Sequence, residues 1–456
     1  MKTESRIHKI AMVVFFMFLV GCSSVIEPTV EGPLVQVSTY VNYEPLTKSE
    51  GIALVVQDKG TYKISENEAM EKLYCFVSSN SENKSAKISV SNVTLKTSPI
   101  TGKEMYYEVS FVGENGPGFS LLSADERVDG VLCYSEVGSI ADTSFNKSLK
   151  FCLELVDLYV EEQTKEELDI NALVLSANEK LAFSKIETFP ATKVDPPFDP
   201  NTWTYVGMYY DENQDTRLKT VPYIVGGWYQ KSPHNDYLPT VIGGSNNKAY
   251  VGCVPLATMQ IMSFWQKTFY GYSGTIIPSD WPNMFSNTYY SIKFKELVLD
   301  VFNALIVNNP YGSYDVTGTW VDSPYSISSI INFLSWNGFS IGSSVSYSFT
   351  NVLTALNYGP TIIRGTEWYT SIGHVWVLDG ANTITQDWYQ LWTYGVYTHK
   401  IFDATPVIQK FVRCRWGWDD VNTSINTWFA DGVFSVNPSG TILNFQYDLT
   451  MISSIQ

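Results

Sequence analysis

Apolar residues recur at helical spacing between Val251 and Gln266, in the sequence VGCVPLATMQIMSFWQ. The residues that share the predicted inner face are Val254, Ala257, Ile261, Phe264 and Trp265, with Leu256, Met259 and Met262 beside them. This spacing predicts a largely buried helix. Cys253 then lies at or near its first residue, where unpaired backbone N–H groups and the helix dipole favour an anion and lower the pKa of a thiol.

The stretch GHVWVLDGA, from Gly373 to Ala381, alternates like a strand and places His374 at its beginning. Further helices are predicted at Lys293–Val307, Ile327–Trp336 and Phe349–Asn357, and further strands at Pro360–Gly365, Trp388–Val396 and Val433–Val436. Helices gathered early and strands gathered late predict an α+β domain over residues 204–456, with a site between the two layers.

A first domain is predicted over residues 45–190, from short strands such as KISVSNVTL and MYYEVSFV that are joined by Gly and Asn turns. An amphipathic helix follows, with apolar residues from Leu149 to Tyr159 on one face. The segment Phe189–Asn201 is rich in proline, which disfavours both helix and central strand. We therefore place a linker at residues 191–203, which is either a cleavable connection or a permanent one.

Residues 1–22 have the form of an export signal. Basic side chains precede the apolar run Ile10–Val20, which is too short to span a bilayer as a helix. Leu19-Val20-Gly21-Cys22 resembles the bacterial lipoprotein cleavage motif, in which Cys22 becomes the acylated first residue; the alternative is an ordinary signal peptide cut nearby. We expect an exported protein of the bacterial cell envelope, attached by a lipid on Cys22 through a polar tether at residues 23–44.

The chain has 456 residues, 45% of them hydrophobic, which is enough for two or three domains with their own cores. Its formal net charge of −16 argues against a nucleic-acid partner, since no basic stretch neutralises phosphates. The six cysteines do not form a disulfide framework in a chain of this length, and their spacing indicates no zinc site. We expect most of them to be buried thiols, with a disulfide in an oxidising compartment as the alternative. An aromatic content of 14% favours β-rich structure, with a binding cleft or a glycan platform as the alternative.

Cys253 is the candidate nucleophile, and its candidate bases are His234, His374 and His399. A catalytic cysteine and histidine meet in space rather than in sequence, so the wide gap between Cys253 and His374 is compatible with a pair. Each also has a plainer interpretation from the residues alone. Cys253 is then a small buried side chain, and His374 a core histidine whose hydrogen bonds are satisfied.

Four stretches, in order, are similar to motifs of the streptopain family of papain-fold cysteine peptidases. GCVPLATMQIM resembles the family's nucleophile motif, GWYQKSPHNDYLP its Trp-x-Gln segment, GHVWVLDGA its histidine strand and RWGWDD its Asn-Trp-Gly-Trp segment. The resemblance implies a papain-like domain in which Cys253 and His374 are catalytic and the Gln230 side chain helps to form the oxyanion hole.

The sequence departs from the family pattern at Arg415, where the family has asparagine. The resemblance therefore leaves the support of the His374 ring to packing by Trp416 and Trp418; core packing is the alternative for both. Pro255 is a second departure, and it fits the first turn of a helix.

GFSLLSADERVDGVLCYSEVG, from Gly118 to Gly138, resembles the pro-domain of streptopain-like zymogens, in which a Ser-Ala-Asp turn joins two strands. The resemblance implies a secreted cysteine endopeptidase with protein or peptide substrates and no cofactor. Its own pro-domain would inhibit it until a cut between about 181 and 219. The alternative for the first domain is an independent β-rich module. The alternative for the whole chain is a catalytically impaired surface lipoprotein with a peptidase fold that binds protein or glycan.

Overall fold

The computed structural model describes residues 46–80, 87–99, 101–114, 116–141, 147–183, 202, 204–213, 219–220, 228–285, 292–322, 325–366, 373–394, 397–402, 407–415, 417, 427–434 and 449–456. Across these ranges, no helix has both the length and the apolar character needed to cross a membrane. Residues Glu44–Gln456 form one unit. We call residues 46–183 the N-terminal part and residues 204–456 the C-terminal part.

The N-terminal part packs helices against an antiparallel meander. Its elements are α1 (Lys48–Lys59), α2 (Glu66–Asn80), β1 (Ser89–Thr97), β2 (Glu104–Gly113), β3 (Gly116–Ser123), β4 (Val131–Ser135), α3 (Lys147–Gln163) and α4 (Ile170–Phe183). The two strands and the amphipathic helix predicted from the sequence are confirmed as β1, β2 and α3. The Ser-Ala-Asp sequence begins at Ser123, the last residue of β3, and leads into the connection to β4, as the resemblance implied.

The C-terminal part has its longer helices before its main strands. The helices are α5 (Cys253–Trp265), α6 (Ile292–Phe302, continued by a π-helix at Asn303–Val307), α7 (Tyr325–Trp336) and α8 (Phe349–Ala355), with a 3₁₀ helix at Pro278–Phe285. The strands are β5 (Thr204–Asn213), β6 (Lys219–Thr220), β7 (Thr240–Ser245), β8 (Phe269–Tyr270), β9 (Thr275–Ile276), β10 (Gly312–Tyr314), β11 (Thr319–Val321), β12 (Ser344–Ser346), β13 (Thr361–Thr366), β14 (Gly373–Tyr394), β15 (Tyr397–Phe402), β16 (Val407–Arg415), β17 (Thr427–Ala430) and β18 (Thr450–Ile452). The predicted α+β class is confirmed.

Two of the predicted elements differ from the structure. Asp431–Phe434 is a short 3₁₀ helix, so the strand predicted at Val433–Val436 is wrong for its described residues. The strand predicted at Trp388–Val396 is, in its described residues, the end of β14, a single strand of 22 residues that begins beside His374. A short apolar pair such as Val433-Phe434 does not distinguish a buried helical turn from a strand end, and pairing with β5, β15 and β16 keeps β14 extended.

Strands of both parts belong to one sheet. Its order is β1-β2-β3-β4-β17-β16-β14-β13-β18-β12, and β5, β6 and β15 pair with β14. The two parts meet where β17 pairs with β4, with Trp428 opposite Tyr134.

The strand β14 separates two hydrophobic cores. Val375 and Val377 belong to the core that contains α5, α6 and α7, whereas Trp376 and Leu378 belong to the core shared with the N-terminal part. This follows from the alternation of side chains along a strand. The start of β14, which carries His374, therefore lies between the helix of Cys253 and the core of the N-terminal part.

Candidate active site

Cys253 is the first residue of α5, as the sequence predicted. The preceding residue, Gly252, has φ of 87°, a conformation that side chains rarely tolerate, and a Cβ there would lie 2.8 Å from Cγ2 of Thr319. Pro255 lies in the first turn, where its missing N–H is harmless. The following residues, Val254–Ser263, are buried, mostly in the core that contains α5, α6 and α7. The thiol is therefore held at the end of a well-packed helix.

Gln230 is held against the residue that precedes the cysteine. Its Oε1 accepts the backbone N–H of Gly252 at 3.2 Å, and its backbone carbonyl accepts the N–H of Val251 at 3.0 Å. The side chain is 5% exposed. Because an N–H must face the oxygen of the amide, the Nε2 end of Gln230 is the end that can donate to a substrate.

The histidine strand lies directly against Cys253. The backbone N–H of Val375 donates to the Cys253 sulfur. His374 precedes Val375 in β14 and is 5% exposed, and its ring stacks on Trp376 with the ring centroids 5.9 Å apart. The structure thus brings together the peptide of His374 and Val375, the Cys253 thiol and the Gln230 side chain, which lie far apart in sequence.

The electrostatics of Cys253 differ from the sequence expectation. Burial raises the pKa of the thiol, and the backbone N–H groups of Val375, Val254 and Cys253 itself lower it by hydrogen bonding, but burial has the larger effect. The helix start thus supplies the predicted stabilisation of a thiolate, and desolvation outweighs it in this form of the protein. A thiolate at this position therefore needs a nearby cation such as a protonated imidazole.

Arg415, which replaces the family's asparagine, forms an ion pair. Its Nε donates to Oδ2 of Asp379, while Nε of Arg413 donates to Oδ1 of the same carboxylate at 2.7 Å. Asp379 is 0% exposed. Asp379 was not among the candidate residues found from the sequence; a carboxylate at the end of the apolar run VWVLDGA was the available signal, because buried acids need partners.

The remaining predicted site residues either lie outside the described residues or are the other candidate bases. Trp416, Trp418 and Cys22 lie outside the described residues. His234, a rival base, is 1% exposed, packs with ring centroids 4.2 Å from Tyr229 and 5.1 Å from Phe294, and has its pKa lowered to about 4 by burial. His399, the other rival, lies on β15. The described residues contain no group of acidic, histidine and cysteine side chains that could hold a metal ion.

Comparison with known proteins identifies both parts of the chain. Residues 228–425, which contain Gln230, Cys253 and His374, match the model of the Peptidase C10 family. Residues 61–160 match the model of the Spi protease inhibitor. A search of curated proteins found no match. Residues 228–425 therefore belong to the streptopain family, Peptidase C10, and a pro-domain of the Spi inhibitor type precedes them.

Proposed function

We propose that this cysteine peptidase zymogen hydrolyses peptide bonds within protein substrates through Cys253 and His374. One observation carries the proposal: the Gln230 amide, the start of α5 and the start of β14 meet around the Cys253 sulfur. A thiol at a helix start, with the strand of a candidate base against it and a hydrogen-bond donor beside it, is an arrangement suited to acyl transfer.

The chemistry follows from these positions. The Cys253 thiolate attacks the peptide carbonyl, and His374, which has taken the thiol proton, gives it to the departing amine. The carbonyl oxygen becomes an oxyanion that needs fixed donors, and Nε2 of Gln230 and the backbone N–H of Cys253 supply two. Water then attacks the thioester, with His374 as the base, and releases the acid product.

The contacts of the N-terminal part support its role as the inhibitor of the peptidase. It adds its meander to the peptidase sheet through β4 and β17, and it shares a core with the strands that follow His374. We propose the domain boundaries expected from the sequence: a signal at 1–22, a tether at 23–44, a pro-domain at 45–190, a cleavable linker at 191–203 and a peptidase domain at 204–456. A lipid on Cys22 would then hold the precursor in the cell envelope, and cleavage of the linker followed by separation of the two parts would free the peptidase from it.

Incubation of the chain from Ser23 onward beside its Cys253→Ala variant, under reducing conditions, tests the catalytic proposal. We expect the intact thiol to yield a fragment near the size of 204–456, with a new N-terminus between about 181 and 219, and the variant to stay whole. If both forms stay whole, and neither reacts with a thiol-directed peptidyl inhibitor after an added protease has cut the linker, the proposal is wrong. The alternative of a binding lipoprotein then takes its place.

A further inference from the structure

The buried carboxylate of Asp379 lies where β14 departs from regular pairing. Val377 faces Arg415 and Leu378 faces Cys414, but Gly380 faces Arg413, so Asp379 is the extra residue of a β-bulge. Its side chain is 0% exposed. A buried carboxylate is strongly unfavourable without a cation. The side chains that bind Asp379 therefore fix the position of the bulge.

Two arginines bind this carboxylate from the neighbouring strand. Arg413 donates from Nε to Oδ1 at 2.7 Å and from Nη2 to the Asp379 backbone carbonyl at 3.3 Å. Arg415 donates from Nε to Oδ2. Each arginine thus occupies one carboxylate oxygen, but only Arg415 is the last residue of β16, two residues before Gly417.

Gly417, two residues after Arg415, lies against the helix of Cys253. It has φ of 63°, and a Cβ there would lie 2.6 Å from Cδ2 of Leu256. Leu256 lies in the first turn of α5, three residues after Cys253. The ion pair between Arg415 and Asp379 therefore links the chain next to Gly417, which contacts α5, to the strand that carries His374 and the Val375 N–H.

Arginine cannot perform the direct role of an asparagine beside a catalytic histidine. A guanidinium has donors and no acceptor, so it cannot accept an imidazole N–H. Any effect of Arg415 on His374 must therefore pass through the group that Arg415 binds.

We propose that Arg415 is a positioning residue for the peptidase reaction. By binding Asp379 it fixes the β14 bulge and the Gly417 backbone relative to each other, and so sets the place of His374 and of the Val375 N–H relative to the Cys253 sulfur. This inference rests on the proposed function, since it assumes that Cys253 and His374 react as a pair.

Paired substitutions in the full chain, assayed after the linker is cut and the two fragments have separated, distinguish positioning from stability. Arg415→Met removes the guanidinium without introducing the family's asparagine, and it should lower kcat about a hundredfold and leave KM within about twofold, because a small displacement of reacting groups affects rate more than binding. Arg413→Met is the matched control: it removes the partner of the other carboxylate oxygen, so its melting temperature should fall at least as far, but its kcat should fall much less. Arg415→Lys, which retains the charge, should recover part of the rate and covers the case in which Arg415→Met does not fold.

A second measurement does not depend on peptide hydrolysis. The rate at which iodoacetamide alkylates Cys253, located by mass spectrometry, follows the thiolate population as pH changes. Arg415→Met should move the midpoint to higher pH, because a displaced imidazolium stabilises the thiolate less, and Arg413→Met should not. Equal effects of Arg413→Met and Arg415→Met on kcat and midpoint, or wild-type values for Arg415→Met, would overturn the inference. A wild-type chain that cuts no substrate, with an alkylation profile unchanged by His374→Ala, would instead overturn the proposed function.

Discussion

The orientation of a single amide decides whether Gln230 can stabilise an oxyanion. Its Oε1 accepts the Gly252 N–H at 3.2 Å, which turns Nε2 toward the other side of the side chain. Gln230→Glu keeps the shape and an acceptor for Gly252 but places an acceptor where Nε2 was. We expect kcat to fall about a hundredfold or more, as for the loss of one oxyanion donor, with a smaller change in KM.

The measurement is steady-state hydrolysis of a peptide substrate by the chain after its linker is cut and its two fragments have separated. Gln409→Glu is the control, because Gln409 is a buried glutamine of β16 that pairs with Ile384, away from Gly252. A kcat for Gln230→Glu equal to that of the control would contradict the assignment of Gln230 to the oxyanion hole.

At the scale of elements, the start of α1 is tied to α4 by one buried carboxylate. Oε2 of Glu50 accepts the backbone N–H of Thr47 at 2.6 Å and Nζ of Lys180 at 2.9 Å, and Oε1 accepts the hydroxyl of Ser176 at 2.6 Å. Burial raises the pKa of Glu50, but the hydrogen bonds from Ser176, Thr47 and Lys180 lower it to about 2. The capping box of α1 and the packing of α1 on α4 thus depend on an ionised Glu50.

A lowered pKa makes this contact sensitive to acid. Because the folded pKa lies below the unfolded value of about 4.3, the stabilisation is present at higher pH and is lost as pH falls through about 2. Glu50→Gln should therefore lower the melting temperature at pH 7 and reduce the loss of stability between about pH 4.5 and 2. Thermal unfolding as a function of pH measures this. Glu71→Gln, at an exposed position of α2, should retain the wild-type dependence of melting temperature on pH. The same dependence for Glu50→Gln as for the wild type would contradict the prediction.

The starts of α5 and β14 fall where the sequence predicted them, although neither element has a single buried face: Val254–Ser263 is buried throughout, and β14 contacts a core on each side. The apolar spacing of α5 extends over 13 residues, which is long enough to indicate a helix. α1 was not predicted because its apolar run, Gly51–Val56, is short, and a short apolar run does not distinguish a helix from a strand. The partners of Asp379 could not be predicted from the sequence either, since a β-bulge brings Arg413 and Arg415 to one carboxylate.

At the scale of the whole molecule, the inhibitor and peptidase parts share a core as well as a sheet. The ring of Phe76 on α2 meets Tyr134 with centroids 5.3 Å apart and meets Phe411 on β16, across the boundary, at 4.8 Å. Phe76 is 0% exposed. Cutting the linker breaks none of these contacts, so we expect the two fragments to remain together, and the peptidase to remain inhibited, until the N-terminal part is removed.

Phe76→Ala should loosen this association. Removal of a buried phenylalanine ring destabilises its surroundings by about 3–5 kcal/mol, and here part of that loss falls on the contact between the two parts. After the linker is cut, the variant should separate into two fragments on size exclusion at a concentration where the wild-type fragments co-elute, and its peptidase activity should rise sooner. Tyr74→Ala is the matched control, because Tyr74 lies on the same helix and is 47% exposed. Wild-type fragments that separate at once, or equal behaviour of both variants, would show that the shared sheet and core do not hold the two parts together.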